Sequence, residues 1–160
     1  MQILGVDPRH TQPHKINPPH PLPHVSRRAL KRVKDRLEPP TRCNLCDNPV
    51  RLARNRGIYG QDYGDWPFVY LCRGCGAYVG LHADTDLPLG TLADRDMREA
   101  RKHAKNLFMS ITKKKFKRNR DTAYEWLAGE IGIAKSHCHF ALFTTEQAHE
   151  AARACAGLLN

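Results

Sequence analysis

Two Cys-x2-Cys knuckles constrain this chain more than any other feature of its sequence. Cys43-Asn44-Leu45-Cys46 is followed, after 25 residues, by Cys72-Arg73-Gly74-Cys75. Two thiolates three positions apart on a tight turn aim at one point, and two such turns supply the corners of a tetrahedron. The spacing predicts one zinc ion on Cys43, Cys46, Cys72 and Cys75, with Gly74 and Gly76 supplying the positive backbone torsions a knuckle needs. A closed four-sulfur site leaves no position for water, so this zinc is expected to be structural rather than catalytic. The competing readings, buried apolar packing or a disulfide pair, rarely give a doubled spacing. The first residues show no basic region followed by an apolar stretch, so no secretory signal is expected. The cysteines are then read in a reducing, cytoplasmic compartment, where metal binding outranks disulfides.

The sequence around the knuckles sets an expected α+β fold in three parts. Residues 1–40 hold eight of the eleven prolines and four of the nine histidines. Proline blocks helix and sheet ladders, and few apolar groups are present to offset ordering entropy. They are read as an extended Pro/His-rich arm whose first 25 residues are mobile alone and ordered only on a protein partner. A helix is predicted over 26–37, with Ser26 as its N-cap and Leu30, Val33 and Leu37 on one side. Residues 41–90 form the zinc ribbon, a β-hairpin clamped at its open end by the metal, with strands near 50–54, 66–71 and 77–81. Residues 91–160 are helical. Helices are expected over 91–108 and 121–131, a short strand or connector over 139–143, and a last helix opened by a capping box at Thr144–Gln147. Cys155 is read as a core residue. Cys138, between His137 and His139, is weighed as a second metal site and placed below a core role.

Charge is distributed unevenly, and this directs the functional reading. The chain carries a net +10, yet residues 41–90 are neutral and residues 121–160 are acidic. Eleven basic against three acidic side chains fall within 91–120. Lys113, Lys114, Lys115, Lys117, Arg118 and Arg120 crowd the segment 113–120, with Phe116 among them as a stacking surface. Arg98, Arg101, Lys102 and Lys105 on the preceding helix extend the patch. Such a run neutralises phosphates, so DNA or RNA is the first expected partner; a solvated charge run is the bland alternative. No apolar run approaches the ~18 residues that cross a bilayer. An enzyme, chiefly a metal-dependent nuclease, is the competing class, with His103, His137, His139, Asp121 and Glu125 as candidates. No paired-acid or other catalytic spacing joins them, and His137 and His139 face opposite ways on an extended segment.

Residues 70–82, reading YLCRGCGAYVGLH, and residues 86–94, reading DLPLGTLAD, resemble a phage and bacterial zinc-finger-containing domain family of unknown function. So do YEWLA at 124–128 and HFALF at 139–143. The resemblance spans roughly 41–155 and omits the proline-rich arm. It implies zinc at Cys43, Cys46, Cys72 and Cys75 and a phage or prophage source, and it carries no activity. Members often have a cysteine where this chain has Leu81, which argues against a fifth ligand. A small zinc ribbon with an extended arm also suits docking on host RNA polymerase as a transcription regulator.

Overall fold

The computed structural model describes residues 2–160 and divides into two compact units, one ending at Asp94 and one running from Arg95 to Asn160. The centre of the first unit is a three-stranded antiparallel sheet of β3 (Val50–Arg54), β4 (Phe68–Cys72) and β5 (Tyr78–Gly80), in that order. Period-2 alternation decides its faces. Leu52, Tyr70 and Val79 stand in one register row. They bury against Leu22, Leu81 and Leu92 in the same core as Cys43 and Cys72. A four-residue helix, α2 (Arg56–Tyr59), interrupts the turn-rich stretch after β3.

The arm does not behave as its composition suggests. Ile3–Leu4 (β1) pairs antiparallel with Arg36–Leu37 (β2), and Leu22 lies in the core beneath the sheet. Ile16 and Val25 pack on a small cluster of Leu30, Val33 and Leu87. The Arg9 guanidinium bridges Asp7 at 2.8 Å and Asp86 at 2.7 Å, and both carboxylates are buried. The expectation of a mobile arm ordered only on a partner is therefore corrected. Too few apolar groups to build a core are still enough to cover one, and a buried ion pair ties down the segment that carries them.

The helix expected over 26–37 is shorter, α1 (Arg27–Arg32). Ser26 caps it, its hydroxyl accepting from the Ala29 N–H at 3.2 Å. Its expected last turn is absent because Arg36 and Leu37 find a strand partner in β1.

The second unit is a three-helix assembly of α3 (Arg95–Lys115), α4 (Arg120–Ile131) and α5 (Thr145–Leu159). On α3, Met97, Ala100, Ala104, Phe108 and Ile111 repeat at three- and four-residue steps and are all buried. Ala148, Ala151, Ala152 and Cys155 make the matching stripe on α5, and the small residues allow a close approach. The helix expected to open at 91 opens later. The Leu92 N–H is held by Asn44 and Ala93 pairs with Tyr78, so those residues belong to the ribbon. It also continues past 108, because Ile111 extends the buried stripe. The capping box is present, with Thr144 Oγ1 accepting from the Gln147 N–H at 3.1 Å and Gln147 Oε1 from the Thr144 N–H at 3.0 Å. Residues 139–143 form no strand; Phe140–Leu142 is a 3-10 turn that delivers Phe140 and Phe143 to the core.

Candidate metal centre and basic groove

The register Val50↔Cys72 brings the two knuckles to one end of the sheet, because β3 begins where β4 ends. The first knuckle is closed by the Cys43 N–H bonding to the Asn48 carbonyl at 2.9 Å, the second by the Cys72 N–H bonding to the Ala77 carbonyl at 2.8 Å. Each turn needs one left-handed residue after its second cysteine: Asp47 (φ 62) in the first and Gly76 (φ 79) in the second. Gly74 is not one of them. It is needed for space, since a Cβ there would lie 2.2 Å from the Asn48 side-chain nitrogen. Asn48 thus interlocks the knuckles, and its amide donates to Cys46 Sγ at 3.1 Å. Asn44 anchors the first knuckle by a reciprocal pair of bonds to the Leu92 backbone, at 2.9 and 3.0 Å. The asparagines beside the cysteines were the signal of this support, and spacing alone did not reveal it.

The four Sγ atoms lie within 4.8 Å of one another, with Cys46–Cys72 at 3.3 Å and Cys43–Cys75 at 3.8 Å. A tetrahedron of Zn–S bonds of ~2.3 Å has a sulfur–sulfur edge of ~3.8 Å, so the donor set fits zinc in chemistry and in size. Backbone N–H groups also point at the sulfurs: Leu45 to Cys43 at 3.4 Å, and Gly74 and Cys75 to Cys72 at 3.2 and 3.4 Å. Such donors favour thiolates. Asn48 pulls the Cys46 thiol down to about 6. At Cys75 the Ala77 backbone group acts in the same direction, but desolvation and the neighbouring sulfurs outweigh it and push that thiol up to about 12. Burial raises Cys43. Four thiols this close resist becoming four anions, and a dication removes the conflict. Among the described residues, these four form the one group of three or more His, Cys, Asp or Glu side chains close enough to share a metal.

The sequence-derived basic residues all lie in the second unit, and the structure sorts them. Lys105 and Lys113 on α3, with Arg118 and Arg120 from the turn and start of α4, rim a groove of about 400 Å³. Phe108, Met109, Thr112 and Tyr124 line it with them. No acidic partner within ion-pair distance of these four cations occurs among the described residues. Lys102, Lys114, Lys115 and Lys117 are exposed but line no part of the groove. Arg98 is half-buried. Arg101 is committed elsewhere, its Nε donating to the Phe143 carbonyl at 2.8 Å. Phe116 is not an open stacking surface. Its ring, on the first residue after α3, packs on Trp126 of α4 at 5.7 Å, against the core. The aromatic side chains at the groove are Phe108 and Tyr124.

Of the nuclease candidates, Asp121 and Glu125 share one partner, and among the described residues none of the candidates falls in a group of three or more His, Cys, Asp or Glu that could hold a metal. Lys135 Nζ holds Asp121 at 2.6 Å and Glu125 at 3.1 Å. The His139 ring lies against Tyr124, and His137 contacts Ser136. Cys138 and Cys155 are both in the helical core, where burial pushes each thiol up to about 11. No helix of the described residues is long and apolar enough to cross a membrane.

A small antiparallel sheet whose two knuckles present a sulfur quartet defines a zinc-finger class of protein. The chain belongs to the family described as a zinc-finger-containing domain, whose model matches residues 39–157. That span takes in the knuckles and the helices of the second unit. No curated protein and no solved structure matches the chain.

Proposed function

We propose that this protein is a nucleic-acid-binding module in which one structural zinc on Cys43, Cys46, Cys72 and Cys75 holds the ribbon and the second unit takes the polyanion. The observation that carries the reading is the groove: Lys105, Lys113, Arg118 and Arg120, four cations without acidic partners among the described residues, surround an apolar floor. Cations left unpaired by their own chain are available to phosphate. We place the protein in the cytoplasm of a bacterial host, as a phage- or prophage-encoded regulator without catalytic turnover. The pairing of Asp121 and Glu125 with Lys135 supports binding over magnesium-dependent cleavage; incubation with plasmid and magnesium tests that alternative on a gel.

The direct test is fluorescence anisotropy with labelled DNA and RNA across a salt series. Replacing Lys105, Lys113, Arg118 and Arg120 by alanine lowers the log–log salt slope by about 0.7 per lost contact on a single strand, or about 0.9 on a duplex. An unchanged slope returns the groove to plain solvated surface.

A second reading, docking on host RNA polymerase, has support in the first unit. Asn55 is buried and clamps the Tyr63 backbone through two 2.9 Å bonds, holding Tyr63 70% exposed beside Tyr59 and within ring contact of it. A rigid loop that keeps an aromatic ring in water suits a protein surface. Pull-down from host lysate, with and without nuclease treatment, separates direct from nucleic-acid-bridged partners.

A further inference from the structure

We infer that the groove of the second unit seats one unstacked nucleobase, so that the polyanion taken there is single-stranded. The inference rests on the nucleic-acid reading above and deepens it. Lys105, Phe108, Met109, Thr112 and Lys113 fall at positions i, i+3, i+4, i+7 and i+8 of α3, so they form one strip along it. The strip is cationic at both ends and apolar between. Met109 is 59% exposed at its centre. Tyr124 closes the floor, its ring 4.5 Å from the Phe108 ring.

The turn after α3 completes the rim. Lys117 (φ 51) and Arg118 (φ 66) are consecutive left-handed residues, and neither is glycine. The Arg118 N–H closes back on the Thr112 carbonyl at 2.9 Å, which fixes the bend that brings Arg118 and Arg120 to the groove shared with Lys105 and Lys113. Side chains held in this backbone region are costly and cluster where a chain must aim groups at a ligand.

Shape selects the ligand. A cationic rim alone suits any phosphate backbone, and a flat basic face suits a duplex. A duplex keeps its bases stacked inside and presents nothing flat and apolar to a concave floor. An unpaired base does: its face lies on Met109 and Tyr124 while the flanking phosphates meet the four cations. Four cations also exceed what one base with one phosphate requires, which favours a strand over a free nucleotide.

The test uses the full-length, zinc-loaded chain at physiological salt. Its probes are a labelled oligothymidylate of about twelve nucleotides, the same strand with abasic sites throughout, a duplex of equal length, and thymidine monophosphate as competitor. The single strand is expected to bind at least about fivefold tighter than the duplex, and removal of the bases to weaken it roughly 5- to 100-fold. Met109→Glu places a carboxylate on the floor at an exposed position and reproduces the abasic loss, whereas Met109→Leu retains binding; circular dichroism checks that both remain folded. Equal binding of all three polymers, with the salt slope intact, overturns the base seat and leaves the nucleic-acid reading standing. Absence of binding to any polymer overturns both. Competition by the mononucleotide as strong as by the strand reassigns the groove to a free nucleotide and overturns the single-strand inference.

Discussion

Replacing Arg9 by methionine tests how the proline-rich segment is held. The guanidinium reaches Asp7 through Nε at 3.1 Å and Nη2 at 2.8 Å, and Asp86 through Nη1 at 3.1 Å and Nη2 at 2.7 Å. Asp7 and Asp86 are 6% and 7% exposed, so the variant leaves two buried carboxylates without their cation. Breaking a buried pair in this way costs about 3–5 kcal/mol. The lower end applies here, about 3 kcal/mol, because the Arg9 side chain is itself 29% exposed and Arg36 still acts on Asp7. That is a large share of the ~5–15 kcal/mol that stabilises an ordinary domain. The pH dependence carries a sign. Burial alone raises the Asp7 carboxyl, but the hydrogen bond and charge of Arg9 hold it below its ordinary 3.8. Its contribution in the parent protein is therefore present above about pH 4 and lost as pH falls through the lowered value. In the variant the hydrogen bond and charge of the Arg9 side chain are gone, while its backbone N–H and Arg36 still favour the ionised form, so burial moves the Asp7 carboxyl up from its lowered value and protonation relieves part of the strain. The stability gap between parent and variant should then narrow as pH falls toward the lowered value of the parent. Urea unfolding followed by Trp66 fluorescence in a Trp126→Phe background reads the first unit alone. Adding Asp7→Asn to Arg9→Met should restore about half the loss. A cost below about 1 kcal/mol, or a gap that does not change with pH, would refute the argument that this ion pair pins residues 2–25.

Three further outcomes follow from the geometry. Cys72→Ser should abolish zinc content by elemental analysis and unfold the first unit, while helical circular dichroism persists because the second unit has its own core. Gly74→Ala drives a methyl into Asn48 and should break its bond to Cys46, lowering zinc affinity about 10- to 100-fold in a chelator competition. Thr144→Ala removes the hydroxyl that caps α5 and should cost about 1 kcal/mol in denaturant unfolding of the second unit.

Features written in local spacing were legible from the sequence. Each Cys-x2-Cys knuckle, the Ser26 cap and the Thr144 capping box depend on residues a few positions apart, and each appears where the spacing put it. The arm was misjudged because its anchor is not local: Arg9 finds Asp86 at a separation of 77 residues, and no composition count registers that pairing. Gly74 was given the wrong reason for the same cause, since the side chain that forbids a Cβ there comes from the other knuckle. The basic segment shows a subtler limit. The run 113–120 drew attention as a block of charge, yet a helix distributes consecutive residues around its axis at about 100° each. Lys113 therefore reaches the groove while Lys114 and Lys115 do not, and Lys105, eight positions earlier, does. The informative pattern is not the run but the strip at 105, 108, 109, 112 and 113, where an exposed methionine stands between lysines. In the single-strand proposal, that methionine is the surface on which a base would rest, and the lysines on either side would meet the flanking phosphates.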